Sequence, residues 1–242
     1  MKNKKSKKIQ MISTIIIIIC LYFIGISTYR IINWYQDTKE VEKIKEETNK
    51  SIIKKDTTYQ IDFNNLKKQN SDTVAYLKVN NTNIDYIIVK GKDNDFYLNH
   101  DFNKNYNVAG WVFATYQNEM DETDKNIVIF GHNMRDGNMF GTLKNILKGK
   151  WYNNEKNLTI KLITEKNAYN YKIFSIYQIK PEDYYINTEF NNDNEYEQFL
   201  KTIEGRSIKN FNIELNKNDQ ILTLSTCSMT GTERVVLHAK KI

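Results

Sequence analysis

Ile221-Leu222-Thr223-Leu224-Ser225-Thr226-Cys227 reads as a β-strand that ends on a thiol. Working outward from it, the same texture runs from about Ile61 to the end: short runs rich in Ile, Val, Tyr and Phe, punctuated by Asn, Asp and Gly. These runs predict strands over Ala75–Val79, Ile84–Val89, Gly110–Ala114, Asn126–Phe130, Leu158–Ile163, Tyr169–Ile179, Gln220–Ser225 and Val235–Lys240. Helices are expected over Asp62–Gln69, Met139–Leu147 and Asn194–Glu204. The last carries Tyr196, Phe199, Leu200 and Ile203 at the spacing of one helical face. About eight strands with few helices predict a mainly β fold, a closed or nearly closed barrel.

Two more segments place reactive groups at strand ends. Asn126-Ile127-Val128-Ile129-Phe130 runs into Gly131-His132, and Arg234 opens the final strand in Glu233-Arg234-Val235-Val236-Leu237. Strand ends are where loops and sites gather. His132 has two rivals, His100 in a polar stretch and His238 inside the last strand. Arginine is scarce in this Lys-rich chain, with only Arg30, Arg135, Arg206 and Arg234, so its planar fork marks a specific need. Arg135, three residues after His132, competes with Arg234 for that role.

The first part of the chain is of another kind. Lys2, Lys4, Lys5, Lys7 and Lys8 precede a run of 21 uncharged residues, Ile9–Tyr29, with Ile15 to Ile19 at its centre. As a helix this run spans roughly 31 Å, enough to cross a bilayer's hydrocarbon. Without those five lysines the balance of 35 basic and 29 acidic residues is nearly neutral, so the net charge of +6 is a topology signal. It excludes a nucleic-acid footprint. The nearest approach to a signal-peptide cleavage site is Gly25-Ile26-Ser27, and an uncleaved anchor is the expectation. The Lys- and Glu-rich segment that follows, with Trp34, Val41 and Ile44 as a sparse apolar stripe, reads as a solvated helical stalk. The expected organisation is a cytoplasmic tail over 1–8, an anchor over 9–29, a stalk over 30–60 and an extracellular domain over 61–242.

Cys20 lies inside the anchor, which leaves Cys227 as the one thiol of the exported part and permits no intramolecular disulfide there. Two readings stay open on the thiol alone, an inert small hydrophobe or a nucleophile. Three dispersed histidines and a single thiol lack zinc spacing, and neither a metal nor a cofactor is expected.

The ordered set His132, Thr223-Leu224-Ser225-Thr226-Cys227, Arg234 resembles the sortase signature TLxTC followed by a nearby arginine. Tyr76-Leu77-Lys78-Val79, the stretch Lys90 to Leu98, Met139-Phe140-Gly141-Thr142-Leu143 and the helix at Asn194–Glu204 are similar to class B sortases in particular. The resemblance covers about Ile61 to the end. It implies an eight-stranded barrel with peripheral helices and a cysteine transpeptidase that joins secreted proteins to the cell wall. The implied substrate is a carboxy-terminal sorting signal of the NPxTN or related type, cleaved after Thr, and the implied acceptor is an amine of peptidoglycan. Cys227 would carry the acyl group, His132 would act as acid and base, and Arg234 would orient substrate and stabilise the oxyanion. Asn94, Leu98, Tyr185, Ile186 and Ser225 are candidates for the substrate groove, though Leu98 and Ile186 fit a barrel core equally.

The chemistry agrees with the residue types. A free thiol has a pKa near ~8.5 and needs a neighbouring imidazole to yield or pair its thiolate at neutral pH. The imidazole can then protonate the leaving amine, while a guanidinium or backbone N–H meets the developing oxyanion. No carboxylate is obviously paired to His132, unlike a Ser-His-Asp site. Two other classes compete: a papain-like wall hydrolase, in which cysteine precedes histidine and lies on a helix, and a non-catalytic adhesin, which would tolerate loss of Cys227.

Overall fold

The structure is a computed structural model that describes residues 2–55, 58–227 and 233–242, with side chains from Gln10 onward. The chain forms two units, Met1–Glu40 and Val41–Ile242. The first is carried by helix α1 (Lys2–Asn49). Ile15 to Ile19, Leu21 and Phe23 are all exposed on it. From Gln10 this helix is long and apolar enough to cross a membrane. Ser13 and Thr14 donate their hydroxyls back to the Gln10 carbonyl at 2.8 and 2.9 Å, which removes their polarity from the helix surface. The side chains of Lys2 to Lys8 lie outside the described residues.

The second unit begins in the last turns of α1, where Val41 and Ile44 are buried in the main core. A hairpin follows, β1 (Ile52–Lys55) and β2 (Thr58–Ile61), that the lysine-rich sequence did not predict. Helix α2 (Phe63–Gln69) starts because the Asp62 carboxylate accepts the Asn65 N–H at 3.0 Å, and it buries Phe63 and Leu66.

All eight predicted strands are present: β3 (Thr73–Val79), β4 (Asp85–Val89), β5 (Phe113–Ala114), β6 (Asn126–His132), β7 (Thr159–Thr164), β8 (Ala168–Ile179), β9 (Ile221–Cys227) and β10 (Arg234–Lys241). They close a barrel in the order β10-β8-β7-β3-β4-β5-β6-β9, with β9 pairing back to β10. Closure removes sheet edges that would otherwise template aggregation.

Two predicted elements shrink for local reasons. The strand expected from Gly110 begins only at Phe113, because Gly110 turns at φ +57° with its Cα against the Tyr97 and Leu98 carbonyls. A Cβ there would lie 2.4 Å from the Tyr97 oxygen. The helix expected from Met139 survives as a 3₁₀ turn over Leu143–Leu147, since Met139 itself is left-handed at φ +49°. A short helix α3 (Gly149–Tyr152) follows it.

Helix α4 (Asp193–Gly205) is capped by Asn192, whose side chain accepts the Glu195 N–H at 3.0 Å. Its Tyr196, Phe199, Leu200 and Ile203 are buried with Phe174, Ile221 and Val236 of the barrel wall. Each such side chain contributes about 1.5–3 kcal/mol on burial. The wall formed by β8, β10 and β9 is thus covered on both faces, which fits the wholly apolar and hydroxyl content of β9 before its cysteine.

Candidate active site

Strand direction brings the reactive residues to one rim. β6 and β9 run parallel and in register from Asn126↔Ile221 to His132↔Cys227, so both end together. β10 runs antiparallel to β9, and its first residue therefore starts at the same end. Arg234 pairs there with Ile179, the last residue of β8. The chain leaving β8 makes a 3₁₀ turn, Tyr184–Ile186, beside this rim.

The imidazole of His132 is held by backbone. Its Nε2 donates to the Leu98 carbonyl at 2.7 Å, and Nδ1 stands 3.5 Å from the Cys227 carbonyl. A carbonyl only accepts, so the short contact marks Nε2 as the protonated nitrogen of a neutral ring, while Nδ1 faces a second carbonyl at the outer limit of hydrogen bonding and donates to it when the ring is an imidazolium. The Leu98 carbonyl takes the orienting position that a carboxylate fills in other histidine sites. The Cys227 carbonyl accepts the Asn133 N–H at 3.1 Å, which fixes the two strand ends against each other.

Cys227 is partly exposed. Burial pushes its thiol up to about 11, against the pull of the nearby Arg234 guanidinium. Arg234 feels burial too, but its hydrogen bond to Tyr185 and the neighbouring Cys227 and Asp183 outweigh that and hold its charge. Its Nη1 donates to the Tyr185 hydroxyl at 3.2 Å, and that hydroxyl shares a 3.0 Å hydrogen bond with the Ser225 hydroxyl. Tyr185 and Ser225, both fully buried, form a shelf beneath the guanidinium.

The remaining predicted residues separate. Leu98 meets His132 through its carbonyl rather than its side chain, which packs on the main core. Ile186 packs between the two apolar clusters and lines a cavity of about 520 Å³ with Gln117, Asp183 and Phe190. Asn94 is engaged elsewhere, donating to the Thr115 hydroxyl at 3.1 Å and accepting the Tyr116 N–H at 3.1 Å. A larger cavity, about 690 Å³, lies between α4 and residues 210–215 and contains none of the rim residues.

The rivals fare differently. His238 is fully buried in the wall, His100 stacks on Phe96 with ring centroids 4.0 Å apart, and Arg135 is exposed in the loop after β6. The two contacts that residue identities did not reveal are the Leu98 carbonyl on His132 and the Tyr185 hydroxyl under Arg234. A backbone acceptor leaves no mark in side-chain identity, so only the second had a signal, Tyr185 being one of two adjacent tyrosines after a turn proline.

Similarity to known proteins agrees with this arrangement. The family model of the sortase domain matches residues 77–242. Sortase B of Staphylococcus aureus is 32% identical over 236 residues, 95% of this chain and 96% of that protein. A crystal structure of sortase B from B. anthracis superposes with a TM-score of 0.77 at 30% identity, covering 86% of this chain and 99% of that one. Sortase B of Clostridium perfringens gives a TM-score of 0.69 at 40% identity, over 74% of this chain and 99% of that one. The chain belongs to the sortase family and, with relatives of class B, is a cysteine transpeptidase.

Proposed function

We propose that this rim is the transpeptidation site, with Cys227 as nucleophile, His132 as acid and base and Arg234 as the oxyanion-facing cation. The observation that carries the reading is the in-register end of β6 and β9, which sets His132 beside Cys227, with Arg234 starting the neighbouring strand. Proton transfer from the thiol to Nδ1 leaves an imidazolium whose Nε2–H stays bonded to the Leu98 carbonyl. The thiolate attacks the Thr carbonyl carbon of a sorting signal, the carbon–nitrogen bond breaks, and the imidazolium protonates the departing amine. An amine of peptidoglycan then attacks the thioester, gives its proton to the now neutral His132 and expels the thiolate, forming the new amide. Because burial holds the thiol above its ordinary value, the thiolate is the minor form at neutral pH until the substrate site is engaged.

The substrate is a secreted protein bearing an NPxTN-like carboxy-terminal signal, cleaved after Thr. Of the candidate groove residues, Ile186 lines the cavity beside the rim, while the buried Tyr185 and Ser225 act from beneath Arg234 and Leu98 through its carbonyl on His132. Residues 9–29 anchor the chain in the cell membrane with the amino terminus cytoplasmic. Of the expected stalk over 30–60, the part from Val41 onward belongs to the second unit, and 61–242 form the bulk of an extracellular catalytic domain. The length and apolarity of α1 support the anchor.

Mass spectrometry of the protein with an NPxTN peptide tests the chemistry. Cys227 gains the mass of the fragment ending at Thr, and an added amine converts the released product from acid to amide. Acid alone, at every concentration of several amines, would replace the transfer reading with hydrolysis.

A further inference from the structure

His132 ends β6, and the chain then loops outward and returns directly behind it. Asn133 and Met139 form a β-bridge, and the Phe140 N–H donates to the His132 carbonyl at 2.9 Å. The Phe140 ring presses on Gly131, where a Cβ would stand 2.8 Å from the ring. The loop thus backs the histidine on the side away from Cys227.

Its return passes through Met139 in the left-handed region, at φ +49°, where a side chain is disfavoured and an outside hold is needed. That hold comes from β4. The fully buried Tyr86 hydroxyl accepts the Met139 N–H at 2.9 Å. The Tyr86 ring lies in turn against Lys45 of α1, whose Nζ sits 4.0 Å from the ring centroid. The same ammonium donates to the Asn83 carbonyl at 2.8 Å, and the Asn83 N–H donates to the Thr142 hydroxyl at 3.2 Å, just past the loop. Burial of this ammonium lowers its pKa to about 8, so it is a desolvated cation closely fitted to the ring.

We propose that Tyr86, seated against Lys45, is a positioning residue for His132, and that the last turns of α1 thereby brace the active rim through the Met139–Phe140 return. This rests on the catalytic role proposed above for His132. A tyrosine that only filled the core would matter for stability and not for the imidazole.

The test uses the full chain in detergent, with ¹³C-labelled histidine and the NPxTN peptide. In Tyr86→Phe the ring remains and the acceptor is lost. The expected result is a fall in kcat of about tenfold with KM unchanged, and a displaced His132 ring resonance while those of His100 and His238 stay in place. Lys45→Met is expected to lower kcat about threefold, and Lys45→Arg to restore it by keeping a cation over the ring. The proposal is overturned if folded Tyr86→Phe keeps both kcat and the His132 resonance, or if KM alone rises. Should Tyr86→Phe fail to fold, Lys45→Met decides: an unmoved His132 resonance with unchanged kcat overturns it. A moved resonance in a protein whose peptide cleavage does not require His132 would uphold the brace and reject the catalytic role.

Discussion

Strands β6, β9 and β10 carry polar side chains at two depths, and the two sets face opposite conditions. Deep in the wall, the Thr223 hydroxyl donates to Asn126 Oδ1 at 2.7 Å and so accepts from His238 Nδ1 at 2.8 Å. That leaves His238 Nε2 to accept the Tyr177 hydroxyl at 2.8 Å. Every partner is satisfied, no charge is present, and burial holds the imidazole down to about 3. At the rim, the same three strands end on or begin with Cys227, His132 and Arg234, where the thiol is partly exposed and a cation is retained. An imidazole fully buried between two side-chain hydroxyls is architecture; one half-exposed at the rim, with one short and one long backbone contact, can move protons. Depth along the strand, more than residue type, assigns the role.

Removing the thiol should give the largest effect. Cys227→Ala fits the site without overpacking and is expected to abolish acyl-enzyme and cleavage with an unchanged circular dichroism spectrum. Residual turnover would move the chemistry away from the rim.

Arg234→Ala should cost on the order of 10²-fold in kcat/KM, from loss of the oxyanion-facing cation. The guanidinium also draws the Cys227 pKa down, so its removal should raise that pKa further. Iodoacetamide labelling of Cys227 across pH 7–11 reads this directly: the rate climbs toward about 11 in the wild type and later still in the variant. Equal profiles would mean the charge does not reach the sulfur.

Tyr185→Phe keeps the ring and removes the hydroxyl that links Ser225 to Arg234. A loss of about ten- to a hundredfold in kcat/KM is expected, the rate equivalent of one hydrogen bond to a charged group, at about 1.5–3 kcal/mol. Activity within twofold of wild type would show that the shelf does not place the guanidinium.

The smallest effect on activity, and the sharpest contrast, belongs to the deep histidine. His238→Leu should stay within threefold in kcat/KM yet lose about 1–3 kcal/mol of stability near pH 7.5, since the Thr223 and Tyr177 hydroxyls lose their partner. The pH dependence has a definite sign. The folded-state pKa lies below the unfolded one, so the unfolded chain binds the extra proton, and stability present above about 6.5 is lost as pH falls toward about 3. The slope from this group is about 1.4 kcal/mol per pH unit. In urea unfolding the wild-type advantage over His238→Leu should therefore shrink from pH 7 to pH 5. A constant difference would mean that the wall admits water.

Much of this was legible before any coordinates. The barrel could be read because each strand is a dense β-prone run bounded by Asn, Asp or Gly, and the rim could be read because three runs meet reactive residues at their ends. The β1–β2 hairpin escaped because Ile52-Ile53-Lys54-Lys55 looks like the end of a charged stalk and has only exposed or half-buried positions. The expected Met139 helix failed because apolar spacing carries no record of a left-handed residue held by a distant tyrosine. The Leu98 contact was invisible for a simpler reason, since any residue there offers the same carbonyl.

The parallel seam between β6 and β9 also dictates when the site can come into being. Its two ends are 95 residues apart in the chain, and β10, which flanks β9 and β8 together, comes after both. A chain emerging amino terminus first therefore presents its histidine long before its thiol, and the wall closes only with the final strand. Such distant pairings make folding slow and leave intermediates exposed. A thiol that arrives last spends little time unshielded, and until the closing strand is seated there is no rim on which a substrate can be held.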